Sequence, residues 1–459
     1  MTDITEALTA AGVSALVQKQ IDPMLLEYQR RFSPLVRALP SQKWGSTVYN
    51  FNQRNSRVAG GFVADGGARP VSSSSYTQSA FTMRNLQAVG SVTGYAQEVS
   101  RDLIGDLRAR EIEGAVQGLM WDIETGLLWG CSGATQNGPY PEFDGIDVQV
   151  SSFSGNSQNS SDYAGATIAL RHLDILIDQV EQNAASPVSD SNWMFVASTT
   201  AISKLAQLLT NQQRFVGQVG QTEIAPGLNV PTYRDVPLVK SSFLGARSLQ
   251  ETAVTASTST TGGTLAAGAY KYQIGAVISR LGEIQASAEV SQTTTGSTST
   301  VTLAFTPPVG YEGAGAQLYK VYRTAVGGAT GTETLLGYVD ATVALAADGV
   351  TPIATTSIVD TGAALVPQNG ATVPAVTPAA YVGTNTGMLP RGAGNEDVYL
   401  MSRMRDFVVR PYVRDITPLD VFPTTVAPDT LPFALVTDTC LAIRAPKYAS
   451  RARNLSVAL

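Results

Sequence analysis

The sequence predicts an α+β chain with an all-β sandwich set into it. Three observations carry that expectation. Residues 96–129 place apolar side chains at spacings of mostly three and four, the period of a helix face. Residues 165–248 alternate helix-like with strand-like stretches, as a compact α+β domain does. Residues 249–382 lose the helix signal and alternate with period two between turn formers, which describes a β-sandwich of about a hundred residues.

Composition narrows the function classes. The chain has 459 residues, roughly three common domain lengths. It is 44% hydrophobic and 15% charged, with 31 bases against 37 acids and a net charge of −6. That supports a sizeable core and excludes a disordered chain. A mild negative balance also speaks against a protein that coats nucleic acid. One histidine, His172, and two cysteines, Cys131 and Cys440, rule out a four-ligand Cys/His structural zinc site and a disulfide framework. Asp3 and Glu6 stand where a secretory signal carries bases, and no long apolar run follows them. No stretch approaches the ~20 apolar residues of a membrane span. The expectation is a soluble, cytoplasmic product.

Taken in order, residues 1–27 are helix-compatible, with Ile4, Leu8, Val13, Leu16 and Val17 as apolar positions. Tyr28 to Gly90 holds eight bases against one acid, Asp65, a balance of +7. Within it, Trp44 to Asn52 and Phe81 to Tyr95 read as strands around a polar, glycine-rich tip, which makes a long two-stranded arm. Such an arm has little core of its own and needs a partner surface. The helix at 96–129 reads as one rod of about 50 Å, with seven acids against three arginines. Gly105, Gly114, Gly118 and Gly126 within it indicate close packing or a bend. Helices at 165–183 and 199–210 flank the short buried strand NWMFVAS, and PGLNVPTYRDVPLVKSSFL supplies a turn and another strand. In the sandwich, Tyr270, Tyr272, Ile274 and Ala276 form one alternating face, as do Val301, Leu303 and Phe305. Tyr319 and Val321 alternate with Lys320 and Tyr322 in the same way. A Pro/Ala-rich stretch then supplies the extended return path that an inserted sandwich requires. EDVYLMSRMRDFVVRPYVRDI reads as a long Arg-rich strand or hairpin, and the chain closes on Arg444, Lys447, Arg451 and Arg453.

A search for chemistry ends without a catalytic constellation. There is no phosphate-binding loop, and the glycine pattern Gly310 to Gly315 reads as a hairpin loop between strands. Ser132 lacks the setting of a nucleophile elbow. Cys131 with His172 is the one possible Cys–His dyad, set against two ordinary packed or exposed residues. Asp174 and Asp178 read as a solvated helix face. Glu142, Asp144 and Asp147 could line a cation site, but their spacing is not that of a calcium loop. The terminal bases read as partners for acids elsewhere, because only Tyr448 is present there to stack on a base. No cofactor is expected.

The order of parts resembles the major capsid proteins of tailed double-stranded DNA bacteriophages, the HK97-type fold. NWMFVASTTAISKLAQLL is similar to that family's axial strand-then-helix segment, PGLNVPTYRDVPLVKSSFL to its glycine turn and following strand, and DTCLAIRAPKYASRARNL to its last strand and tail. The resemblance spans 1–248 and 383–459, while AGAYKYQIGAV and AQLYKVYRT in the inserted part look like a fibronectin type III or immunoglobulin-like module. It implies an N-terminal arm (1–43), an extended E-loop-like arm (44–94) and a peripheral domain with a long spine helix (95–164). An axial domain begins at 165–248, the insertion occupies 249–382, and 383–459 returns to the axial and peripheral strands and the tail.

The function implied is mechanical: a self-assembling subunit of hexamers and pentamers in an icosahedral shell around double-stranded DNA, with the sandwich outward. Expected partners are copies of itself, a separate scaffolding protein, a portal, DNA bound without sequence reading, and a cement or decoration protein; no membrane is expected. The product would reside in the virion after assembly in the host cytoplasm. In the family the arm lies across a neighbouring subunit near its long helix. Here Arg54, Arg57, Arg69 and Arg84, less Asp65, give the arm +3, against −4 for helix 96–129 with Asp102, Asp106, Glu111 and Glu113. Contact between those two groups is therefore expected, each exposed pair contributing about 0–1 kcal/mol. No lysine lies between residues 44 and 94, so the arm-lysine cross-link of some relatives is not expected. With an arm that begins near residue 40, the cleaved N-terminal scaffold that others carry is not expected either. Alternatives are an encapsulin-type cargo shell, a tail or adhesion protein that binds carbohydrate, and an enzyme with an accessory sandwich.

Overall fold

A computed structural model describes residues 34–457 apart from 69–70, 105, 131, 133–141, 152–158, 164, 185–186, 189–191, 214–220, 226–227, 245–253, 279–281, 284–285, 308–315, 346–351, 366–394, 420 and 422–428. The helix-compatible residues 1–27, the Gly310–Gly315 loop and most of the Pro/Ala-rich stretch lie outside the described residues.

The first described element is a single short helix, α1 (Pro34–Ala38), opened by a proline whose φ is already helical. Strands β1 (Ser41–Lys43), β2 (Val48–Arg54), β3 (Tyr76–Thr82) and β4 (Arg84–Thr93) follow. The strand expected over Phe81 to Tyr95 is two strands, divided at Met83. The Met83 side chain is buried and its N–H donates to the Thr47 carbonyl at 2.9 Å, which anchors the crossover. β3 pairs antiparallel with β2 as the arm, whereas β4 leaves for another sheet.

The expected single rod is also two helices, α2 (Gly94–Ile104) and α3 (Leu107–Trp129). Asp106 explains the break. It has extended backbone angles (φ −77°, ψ 96°), and its carboxylate accepts the Ala109 N–H at 3.1 Å, capping α3. Close packing explains Gly126, where a Cβ would stand 2.9 Å from the Phe143 ring.

Helix α4 (Ile146–Ser151) and strand β5 (Ser160–Asp162) lead to α5 (Leu170–Ala184), which begins five residues later than expected because Thr167 bridges to Ser456 in the sheet. Strand β6 (Trp193–Ser198) and helix α6 (Thr199–Gln213) match the expected strand and second helix. β7 (Gln221–Ala225), β8 (Leu228–Tyr233) and β9 (Val236–Ser241) complete this half. The β8–β9 turn holds Arg234 and Asp235 at φ 47° and 64°, the positive angles that a two-residue hairpin needs.

Next come β10 (Thr255–Ser259), β11 (Gly268–Ile278), β12 (Gly282–Glu283), β13 (Val290–Thr294), β14 (Thr300–Ala304), β15 (Ala316–Arg323), β16 (Thr334–Asp340), β17 (Thr342–Leu345), β18 (Pro352–Ala354) and β19 (Ser357–Asp360). One sheet runs β10-β14-β19, and another β12-β11-β15-β16 with β13 also on β11. Their strands pair only among themselves. A shared core forms from Tyr272, Ile274, Ala276, Val301, Leu303, Tyr319, Val321 and Ile358. Asp360 of β19 ties the two sheets, accepting from Tyr272 Oη at 2.8 Å and Arg323 Nη1 at 2.8 Å. Lys320 and Tyr322, placed by their alternation on an outer face, are both fully buried. β15 is thus covered on both sides.

The chain closes with β20 (Asn395–Ser402), β21 (Val408–Leu419), β22 (Thr430–Thr439), β23 (Ala442–Ile443) and β24 (Ala449–Ser456). β20 and β21 do not pair with each other as a hairpin would. β20 joins the seven-stranded sheet β5-β24-β20-β6-β9-β8-β7, and β21 the sheet β1-β21-β22-β4, to which β23 also pairs. The seven-stranded sheet separates two cores by simple alternation. Trp193, Phe195 and Ala197 face α5 and α6, while Met194 and Val196 face the cluster of Leu127, Leu128 and Tyr399. Period two with both faces apolar is what a central, doubly covered strand requires. At the edge strand β4, a Cβ on Gly90 would meet the Phe433 ring at 2.4 Å, so only glycine admits that ring.

Candidate inter-subunit surfaces

The arm is anchored at its root and bare at its tip. Trp44 meets Tyr49 edge-on at 4.8 Å, Tyr49 lies 6.2 Å from Phe51, and Phe51 stacks on Phe81 at 5.8 Å. The Arg444 guanidinium sits 5.4 Å from the Tyr49 ring centroid and donates to its hydroxyl, and Gln53 Nε2 donates to the Arg444 carbonyl. Beyond Arg54 the rungs are polar: Asn55 N–H to Ser75 O at 2.9 Å, Ala59 N–H to Ser72 Oγ at 3.0 Å, Gly67 N–H to Ala64 O at 2.8 Å. Phe62 and Val71 are fully exposed, and Val58 and Val63 are more than half so. Two open strand edges with bare apolar side chains form a surface that another chain can cover. A second exposed apolar group lies on α2 and beside it, at Val89, Tyr95 and Val99.

The structure distributes the sequence-derived contact residues unevenly. Arg54 is exposed at the end of β2, its guanidinium 5.3 Å from the Tyr76 ring centroid, and Arg57 is exposed beyond it. Arg69 lies outside the described residues. Arg84 belongs to β4 rather than to the free arm, and its Nε donates to the Glu142 carbonyl at 3.1 Å. On the helices, the side chain of Asp102 lies outside the described residues. Asp106 is occupied as the α3 cap and by Gln97 Nε2 at 3.1 Å. Glu111 and Glu113 are exposed on the first half of α3, whose second half is buried through Leu119, Ile123, Leu127 and Leu128.

Glu124, counted among the helix acids, is fully buried and presents no charge to a partner. Its carboxylate accepts from Leu35 N–H at 3.2 Å, Val36 N–H at 3.0 Å and Ser241 Oγ at 3.5 Å, tying α1, α3 and β9. Burial pushes its pKa up to about 8, with those three donors pulling the other way. Sequence reasoning missed this strut. An acid at a helical position gave no sign that residues 34–36 would arrive above it.

Most of the described residues weighed for chemistry have structural partners. Asp147 is buried and accepts from Arg451 Nη1 and from Tyr399 Oη at 3.0 Å. Asp144 accepts the Ser132 N–H at 2.7 Å. Among the described residues no three His, Cys, Asp or Glu side chains converge as metal ligands. His172 is buried against Tyr163 (ring centroids 4.4 Å apart), and its Nδ1 accepts the Ala169 N–H at 3.0 Å. Burial, aided by Arg171, holds its pKa below the ordinary value. Cys131 lies outside the described residues, and burial pushes the Cys440 thiol up to about 12. Asp174 accepts from Tyr233 Oη at 2.7 Å and Arg234 Nη2 at 2.9 Å, while Asp178 is exposed. Of the terminal bases, Arg451 pairs with an acid, Asp147, whereas Arg444 meets the Tyr49 hydroxyl and the Gln42 side chain. No described helix is long and apolar enough to cross a membrane.

Comparison with known proteins meets this geometry at the arm. Residues 41–234 match the family model described as SU10 major capsid protein. That stretch holds the arm, α2, α3 and the first strands of the seven-stranded sheet. Over that stretch the chain is similar to a major capsid protein, the type its sequence resembles. No curated protein matches the chain. Among solved structures, the holo-SrpI encapsulin complex of Synechococcus elongatus aligns at 10% identity and TM-score 0.46, covering 99% of this chain and 98% of its own. A structure of Mycobacterium phage Ogopogo aligns at 8% identity and TM-score 0.47, covering 98% and 99%. The capsid of cyanophage P-SCSP1u aligns at 10% identity and TM-score 0.47, covering 98% and 96%.

Proposed function

We propose that this protein is the major shell subunit of a tailed-phage head, self-assembling into hexamers and pentamers of an icosahedral shell that encloses double-stranded DNA. The observation that carries this is the arm. It is a two-stranded hairpin, anchored at its root, with Phe62 and Val71 at its tip fully exposed among the described residues, and it lies in the stretch that matches a major capsid protein. A free arm of this kind is a liability in a monomer and a fastening in a shell. In this reading the arm crosses a neighbouring subunit towards its α2 and α3. Apolar burial against Val89, Tyr95 and Val99 contributes more than charge, because Glu124 and Asp106 are already engaged.

The sandwich is read as an insertion at 249–382 that projects outward, where a tethered module has room. Scaffolding protein, portal and cement or decoration protein are the partners of such a subunit, and DNA meets it without sequence-specific contacts. The protein works mechanically, in the virion. Light scattering on purified protein, with negative-stain images of the same fraction, tests the reading. Closed megadalton shells, pentamers or hexamers are expected, with nucleic acid inside particles from an infected host. A stable elongated trimer would overturn it in favour of an adhesin. Shells loaded with an enzyme and free of nucleic acid would turn it into a cargo compartment.

A further inference from the structure

Glu333 is an acid sealed inside the sandwich beside a second acid. It ends the loop 324–333 between β15 and β16 and is 0% exposed. Neither of its side-chain oxygens meets a donor in hydrogen-bond geometry among the described residues. Its own N–H and that of Gly331 only come near. The group it does face is the carboxyl of Glu289, which is well supplied. Lys271 Nζ at 3.0 Å and Thr330 Oγ1 at 3.2 Å reach its Oε1, and the Gly331 N–H reaches its Oε2 at 3.4 Å. Register explains the meeting. Thr334, Arg323, Tyr272 and Val290 form one row across the sheet, so their chain neighbours Glu333, Lys271 and Glu289 share the opposite face. The remaining titratable groups of that face are Lys320, Tyr322, Tyr338 and, at its far end, Asp340. Arg323 is turned the other way, onto Asp360. Lys271 offsets one carboxylate, and a second one this close in a buried site carries a high cost.

We infer that Glu333 and Glu289 share one proton, held on Glu333 and donated to the Glu289 carboxylate, and that this clasp closes the loop 324–333 on the sandwich and opens it as pH rises. The neutral acid supplies the one donor that the pair lacks, and an O–H to a carboxylate is a strong, short bond. Once that proton leaves, two buried carboxylates repel, and Glu333 reaches water only if the loop moves. The loop is built to move, with Gly327 at φ 66° and Gly331 at φ 78°. Burial, then the adjacent Glu289, raises the Glu333 pKa above the ordinary value. Burial pushes Glu289 upward too, but the bonds from Glu333, Lys271 and Thr330 outweigh it and hold its pKa below that value. The contribution of Glu333 is therefore complete below 4.5, the ordinary value, and is lost as pH rises through its raised one. That of Glu289 is lost only as pH falls through its lowered one.

Hydrogen exchange of the full chain, followed by mass spectrometry from pH 5 to 9 and corrected for the intrinsic rate, reads the clasp at residues 324–333. Glu333→Gln is the test variant, because its side-chain N–H donates to Glu289 at every pH. At pH 5 the two proteins should protect these amides alike. At pH 9 the wild-type amides should exchange about tenfold faster than those of the variant. Equal protection over the whole range would overturn the shared proton. If Glu333→Gln fails to fold, the wild type decides alone against residues 295–299, an acid-free turn of the same sandwich. The ratio of the two exchange rates must then rise with pH, and a constant ratio would overturn the clasp. Loss of the low-pH protection on dialysis against EDTA would overturn it too, by making a metal cation the occupant. Both carboxyls belong to one subunit, so a negative result here leaves the shell reading intact, and a chain that forms no shells leaves the clasp intact.

Discussion

Strand β6 and the arm tip are opposite solutions to placing a strand. All six residues of β6 are buried, Trp193, Phe195 and Ala197 against one core and Met194 and Val196 against another. Along residues 55–68 every side chain is exposed, phenylalanine included. β6 is over-determined by its own subunit, because both faces have apolar partners and both edges are paired. The tip is under-determined, held by serine, asparagine and backbone rungs that water competes for. The difference fits the proposed assembly, in which the body is held by its own core and the tip is left to pack between subunits.

That comparison breaks most sharply at the body. Phe195→Ala empties a site that is fully buried between β6, α5 and α6, and should destabilise the subunit by about 3–5 kcal/mol. Urea denaturation followed by circular dichroism measures it. A loss below about 1 kcal/mol would mean that β6 is not the over-determined strand described above.

How much of this was legible in the sequence follows from the range of the interactions involved. NWMFVAS and the sandwich alternation from Tyr270 to Ala276 were readable, since period two with apolar residues describes strands whatever their partners. The glycines indicated close packing or a bend in the long helix, but the place of the break depends on the Asp106 cap, one more acid in a helix-period run. β20 and β21 read as one long strand or hairpin because they are close in sequence, yet β20 lies between β24 and the distant β6, and β21 between β22 and the distant β1. Pairing at that distance leaves no local signal. The same holds for the contact surface. The arm was visible as a coreless basic hairpin, while the helix charge of −4 included Glu124, which tertiary structure removes from the surface.

Glu124 sharpens the comparison by pH. In the unfolded chain this carboxyl loses its proton near pH 4.5, whereas in the fold it holds it to about 8. Between those values unfolding releases a proton, so its stabilising contribution is fully present below 4.5 and is lost as pH rises through 8. The slope approaches about 1.4 kcal/mol per pH unit in that window. Urea midpoints at pH 5, 6.5 and 8 should therefore fall, and Glu124→Gln should flatten the trend. A midpoint that rises equally in both proteins would remove Glu124 as the source. The arm, which lacks any such buried carboxyl among its described residues, should add nothing to the slope.

The smallest expected change in subunit stability falls on the most exposed side chain. Phe62→Ser alters a residue that the described residues leave fully exposed, so the urea midpoint should correspond to a change within about 0.5 kcal/mol. Burial of the same side chain against a neighbour would contribute about 1.5–3 kcal/mol at each contact, and a closed shell repeats that contact at every arm. Loss of shells from a subunit of unchanged stability would place the value of Phe62 between subunits. Equal losses in both measurements would instead mean that the tip packs within its own subunit, and the contrast with β6 would disappear.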